Sequence, residues 1–380
     1  EMTSSLVGSE MCIRDRDGVI VWDGNPIGAV DNTKTYLFDG THTGAVSLTG
    51  SMDAKAIYFN NGAGQDLALT NNEGELAGNG TITKLGEGKV SFNSSNENYA
   101  GAVNIQEGTV AVTANKALGT GTVTVAGEGT LEIGVGGNIT DILGETMPVV
   151  NGGTLAFTSG VEVTLNKILD SGTGANLEVT GEGTTLNLLN DNPQRNIVST
   201  YVGTGSILSI TATNTMNTLL SGSLTVNGGS LNTDGDSFGY TGATLGSLTL
   251  QNGAVWTLTG TKHNTLNTLN LTMDASSVLV NTSGNGFYVL NGSHRINTLS
   301  SASGMSVFTS NGEFNNNKMT ISGATAFNIA RGNFALDDTS TADLKIDVIV
   351  QGGSNITKTG DGVLPVSYTH LRAHETRRHL

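Results

Sequence analysis

One cysteine, Cys12, is all the sulfhydryl chemistry in this chain of 380 residues. An internal disulfide and a thiolate-built zinc site both need more than one cysteine, so neither is available. Charge is also scarce: 13% of residues are Asp, Glu, Lys or Arg, which is too little for a typical disordered chain. No apolar run approaches the length of a membrane-spanning helix. Aromatic residues make up only 5%, which suits a narrow interior filled by aliphatic side chains. Basic residues are outnumbered 18 to 33 by acidic ones, and the pI is near 4.7. That balance argues against nucleic acid and anionic lipid as partners, since both favour a basic face.

What the chain does have is glycine, 53 of them against four prolines, too many for a helical protein. Val, Ile, Leu and Thr alternate with small polar residues, as in half-buried strands. A turn-then-strand signal of Gly, a small residue and an aliphatic one recurs. It is seen at Gly108-Thr109-Val110, Gly129-Thr130-Leu131, Gly153-Thr154-Leu155, Gly205-Ser206-Ile207, Gly229-Ser230-Leu231 and Gly253-Ala254-Val255. Gly88-Lys89-Val90 and Gly183-Thr184-Thr185-Leu186 are looser members, and Ser277-Val278 and Gly304-Met305-Ser306-Val307 continue the phase. From Gly88 to Gly253 the intervals are 20, 21, 24, 30, 22, 24 and 24 residues.

A period in the low twenties predicts an all-β, right-handed parallel β-helix. Each coil carries three short strands and three turns, and rises by one strand spacing of roughly 4.8 Å. Leu224 and Val226, and Leu248 and Leu250, are expected to point inward. Gly is expected at positive-φ corners, with Asn able to serve in Asn151-Gly152-Gly153 and Asn227-Gly228-Gly229. A single coil buries too little to offset its ordering entropy. Stability must come from stacking, and the stack needs caps.

Two terminal stretches break this composition. Residues 1–16 and 365–380 hold the one cysteine, three of six histidines and five of eighteen Lys and Arg. Val366-Ser367-Tyr368-Thr369 can be coded GTC TCT TAT ACA. The opposite strand reads TGT ATA AGA GAC, which is Cys12-Ile13-Arg14-Asp15. Both stretches resemble a translated transposase-type sequencing adapter. They are set aside from fold reasoning, leaving residues 17–364 as a β-helical fragment expected to lack its caps. Ile82-Thr83-Lys84-Leu85-Gly86-Glu87-Gly88 returns as Ile356-Thr357-Lys358-Thr359-Gly360-Asp361-Gly362. The second copy, within 352–364, reads as the start of a further repeat that stops at Leu364.

The first copy belongs to a longer pattern over residues 76–125. It holds Lys84-x-Gly86-x-Gly88, a strand, Tyr99-Ala100-Gly101, a strand, and Ala117-Leu118-Gly119-Thr120-Gly121. This resembles the autotransporter-associated β-strand repeat of Gram-negative surface proteins. Asn252 to Gly260, with Trp256, and Leu266 to Leu271 are similar to the pertactin-like part of such passengers. The resemblance implies a passenger segment, an adhesin or a structural stalk, displayed at the cell surface or released. It also implies a C-terminal outer-membrane β-barrel beyond residue 364. A host-surface or polysaccharide ligand is the expected partner.

Several motifs invite a chemical reading. Gly235-Asp236-Ser237-Phe238-Gly239 fits G-x-S-x-G, but a nucleophile elbow needs a strand–turn–helix and no helix pattern follows. Its histidine would have to be His42, His263 or His294. Asn232-Thr233-Asp234-Gly235-Asp236 offers oxygens for Ca²⁺ without the closing Glu of an EF-hand loop, and reads as a solvated turn. Asp337, Asp338, Asp343 and Asp347, with Arg331 and Lys345 nearby, suggest the acidic groove of a polysaccharide-cleaving β-helix. Lys84 and Lys358 are expected to lay their stems along the coil with their amines in water. Tyr99 and Trp256 are expected to be packing or corner residues. Walker A and dinucleotide glycine fingerprints are absent. The expectation is therefore a non-catalytic chain with no catalytic residue, no cofactor and no metal. A polysaccharide-cleaving β-helix enzyme and a secreted or phage fibre are the alternatives.

Overall fold

The structure is a computed structural model. It describes residues 18–365 except 168–169, 190–196, 212–219, 235–237, 239–244, 260–263, 267–269, 281–286, 290–292, 311–317 and 335–341. The chain is a parallel β-solenoid (β-helix), as its period predicts. Two compact units divide it, Glu1–Glu178 and Val179–Leu380.

In the first unit one ladder stacks the strands Val19–Val21, Thr35–Phe38, Ala56–Asn60, Thr81–Leu85, Val103–Val112, Val123–Ile133 and Val149–Phe157, all parallel. A second ladder starts from Gly44–Leu48, Leu67–Asn71 and Lys89–Phe92, then continues on the far halves of the three long strands. The register is irregular between Ile105 and Glu107, where the long strand bends from one face to the next.

Alternation sends every second residue inward. One inward column runs Phe38, Phe59, Lys84, Ile105, Val125, Val150. Another runs Val46, Leu69, Phe92, Val112, Ile133, Phe157. The rings of Phe38 and Phe59 stack at 4.6 Å and 19°, one coil over the next. The helix Ile139–Leu143 buries Ile139, Ile142 and Leu143 at a corner. Its i, i+3, i+4 apolar spacing is helical, though only one turn long.

In the second unit one inward column is Leu186, Leu208, Leu231, Trp256, Val278, Phe308, Ile346. On another face, Leu224, Leu248, Leu271, Ile296 and Phe327 stack in register. Leu224, Val226, Leu248 and Leu250 point inward, as expected. A third ladder, Asn264–Leu266, Phe287–Val289, Lys318–Ile321 and Ile349–Gln351, completes the later coils.

The glycine phase needs one correction. In the first unit Val90, Val110, Leu131 and Leu155 do align. In the second, Leu186 and Leu231 also point inward, but Ile207 faces Ser230, Val255 faces Ser277 and Val307 also faces Ser277, so each of these three aliphatics turns outward. Their neighbours Leu208, Trp256 and Phe308 fill the core instead. The Asn-Gly-Gly corners also differ from expectation: the positive φ falls on Gly152 and Gly228, not on Asn151 or Asn227. Asn252 does adopt one, at 56°.

Candidate functional site: a lysine corner and an outward hydroxyl face

Lys84 follows Ile82 by two on its strand, so the pleat turns both inward. The whole side chain is buried. Its Nζ donates to the carbonyl of Leu85 at 2.8 Å and to that of Gly86, with a longer contact of 3.5 Å to the Glu107 carbonyl on the next coil. Glu107 also accepts from the Gly86 N–H at 3.1 Å. Gly86 has φ +69°, so the chain turns tightly and presents its carbonyl to the ammonium. The expectation of an amine in water is overturned: the ammonium caps a corner from inside. Burial lowers the Lys84 pKa from 10.5 to about 8, against the raising pull of Glu107 and Asp66.

Lys358 repeats half of this. Its Nζ donates to the Gly360 carbonyl at 2.7 Å, and Gly360 has φ +79°. Here the side chain is exposed. Phe327 stands one coil behind Lys358 just as Phe59 stands behind Lys84.

Tyr99 is buried, and its hydroxyl donates to the carbonyl of Gly80 at 2.6 Å, with the Ala102 carbonyl at 3.2 Å. Burial pushes its pKa well above the usual phenol range. Trp256 is fully buried, with its indole N–H donating to Thr233 Oγ1 at 2.9 Å. Both are packing and corner residues. That bond explains why a hydroxyl sits inward at Thr233 between Ile210 and Leu258.

Only some of the remaining candidates lie among the described residues. Gly235, Asp236, Ser237, Gly239 and His263 lie outside the described residues; Phe238 is buried against Trp256 at 5.7 Å. His42 is exposed beside Trp22, whereas His294 is buried on the strand Ser293–Thr298. Asn232, Thr233 and Asp234 belong to the strand Ser230–Asp234 rather than to a solvated turn. Asp337 and Asp338 also lie outside the described residues.

Asp343 is buried, and its carboxylate is a latch. One oxygen accepts the Gly332 N–H at 2.7 Å; the other accepts the Val363 N–H at 2.7 Å and Arg331 Nη1 at 3.4 Å. Asp347 is exposed and paired with Lys345 at 3.2 Å. Among the described residues no three His, Cys, Asp or Glu side chains converge to hold a metal ion.

The outward surface carries a regular pattern that motif reasoning did not single out. On one face of the second unit the outward column reads Tyr201, Thr225, Thr249, Thr272, Asn297, Asn328, Thr359. Ser199, Ser223 and Ser247 form the column beside it. Asn328 Nδ2 donates to Asn297 Oδ1 at 2.8 Å, and Thr359 Oγ1 donates to Asn328 Oδ1 at 2.7 Å. Such columns space neutral donors and acceptors about 4.8 Å along the stack and about 6.6 Å across it. The signal lay in Ser-Leu-Thr, at 223–225 and again at 247–249.

No family model matches the chain, and no curated protein or solved structure matches it.

Proposed function

We propose that this chain is a non-catalytic, surface-displayed passenger segment of the Gram-negative autotransporter type, serving as an adhesin or a structural stalk. The observation that carries this reading is the outward Ser, Thr and Asn array above a closed aliphatic interior. A flat, repeated, neutral surface offers many small polar contacts to an extended ligand such as a polysaccharide. The repeat residues support the same reading. Lys84, Gly86 and Tyr99 hold corners, so the motif is explained by architecture without invoking chemistry. Asp343, one of the acids of the alternative reading, has both oxygens engaged by backbone N–H groups.

The DNA downstream of codon 364 tests the autotransporter reading. It is expected to encode further coils and then an even-numbered set of amphipathic strands forming an outer-membrane barrel. An open reading frame that closes without a barrel would refute the assignment in favour of a secreted or phage fibre. Purified chain incubated with acidic polysaccharides is expected to release no reducing or unsaturated ends. Release that disappears in Asp343→Asn would establish the enzyme instead.

A further inference from the structure

Among the residues whose exposure is described, Tyr201 is the one exposed Phe, Tyr or Trp, at 36%. Its ring does not stand out into water. A Cβ at Gly203 would meet Cε1 of the ring at 3.5 Å, so the ring runs along its own strand over a residue with no side chain. Asn227 on the next coil donates through Nδ2 to the Tyr201 hydroxyl at 2.8 Å. Asn252, one coil further on, donates through its own Nδ2 to Asn227 Oδ1 at 2.6 Å. Two amides thus hold an exposed phenol that contributes little to the core.

The face around the ring is polar and uncharged. Thr225 pairs with Tyr201, and Thr249 and Thr272 follow in the same column. Ser199, Ser223 and Ser247 run alongside.

We propose that Tyr201 is the stacking platform of a sugar-binding site, whose ligand is a neutral polysaccharide of β-linked, all-equatorial pyranoses. This rests on the reading of the outward columns as a binding surface, and adds to it the anchoring residue and the ligand class. The face of an aromatic ring is the negative pole of its quadrupole and attracts C–H groups. A pyranose with every substituent equatorial has only C–H bonds on its two faces, so it lies flat on such a ring. An axial hydroxyl would hold it off. The equatorial hydroxyls then point sideways, towards Thr225 and Ser223 and, one strand spacing of about 4.8 Å further, towards Thr249 and Ser247. These columns hold no Lys or Arg from Ser199 to Thr272 to receive a carboxylate, and the formal charge of −15 repels polyanions. A ring that is already held loses little freedom on binding.

Isothermal titration of the full chain with cellohexaose, a soluble β-1,4-glucan, tests this. A Kd below about 1 mM is expected, with hexagalacturonate bound at least about tenfold more weakly. Tyr201→Phe keeps the ring and is expected to bind within about threefold of the native chain. Tyr201→Ala is expected to bind at least about tenfold more weakly, with a nearly unchanged thermal melt because the side chain is exposed. In the native chain, NMR saturation of aromatic protons is expected to pass most strongly to the C–H set of one glucose face, a readout that needs no variant. Equal binding by Tyr201→Ala, or tighter binding of hexagalacturonate, would overturn the platform while leaving the outward columns as a binding surface of another kind. No binding of cellohexaose by the native chain at about 1 mM would overturn it too. The autotransporter reading is decided separately, by the downstream DNA.

Discussion

A lysine inside a column of Phe and aliphatic side chains is costly unless its ammonium is satisfied. Lys84 meets this by turning back on the corner that follows its own strand. Because its folded pKa of about 8 lies below the ordinary 10.5, the unfolded chain binds more protons between those values. Stability contributed by this group therefore rises with pH from about 8 towards 10.5 and is flat below. The full swing is on the order of 3 kcal/mol. Urea midpoints measured from pH 7 to pH 10 are expected to climb more in the native chain than in Lys84→Met. Parallel pH profiles for the two would show that Lys84 does not carry the effect. The inward placement of Lys84 was legible, since it sits two residues after Ile82 on an alternating strand. The general habit of lysines, stem buried and amine in water, hid it. What the sequence did not contain was the distance to the Leu85 and Gly86 carbonyls, which the positive φ of Gly86 brings within reach.

At the level of the coil, two kinds of glycine hold the corners. Gly108 combines positive φ with close stacking, whereas Gly253 has φ +79° and nothing within 4 Å of where a Cβ would go. Gly253→Ala is expected to lose only the left-handed backbone strain, about 1–2 kcal/mol. Gly108→Ala must also push a methyl group against backbone of the coil behind, and is expected to lose about 3 kcal/mol or more. Thermal melts of the two variants check this, and a Gly253→Ala loss as large as that of Gly108→Ala would contradict the ranking. The parallel solenoid, the approximate period and the inward Leu residues were all readable from alternation and glycine spacing. Register was not fully readable, because glycine spacing and core register are separate constraints. Trp256, not Val255, takes the inward position since the large indole fills the column and reaches Thr233. Coil length then stretches to 30 residues between Val278 and Phe308 and to 38 between Phe308 and Ile346. No fixed period survives such insertions. The hydroxyl face was likewise invisible to motif reasoning, because its residues become neighbours only when coils stack.

For the whole chain, the acidic excess of −15 has to be set against the ion pairs seen among the described residues. Lys116 and Glu97 pair at 3.1 Å, and Lys167 pairs with Glu145, but three of these four side chains are about two-fifths exposed or more and the other, Lys167, is 39% exposed. Pairs of this kind contribute about 0–1 kcal/mol each and weaken with salt. Lys89 with Glu132, at 2.7 Å and with the carboxylate only 18% exposed, is less open to screening than either. Self-repulsion of the excess charge acts through solvent on every coil and is screened over the same range, since the Debye length falls from about 30 Å at 0.01 M to about 8 Å at 0.15 M. Repulsion is expected to be the larger quantity, because acidic residues outnumber basic ones 33 to 18. Moving from 10 mM to 150 mM NaCl at pH 7 is therefore expected to raise the melting temperature by a few degrees in calorimetry. Lys116→Gln and Lys167→Gln are each expected to leave that increment nearly unchanged, since the pairs they remove are minor. A melting temperature that falls with salt would mean that attractive pairs dominate, and that the neutral outward columns sit in a surface stabilised by charge after all.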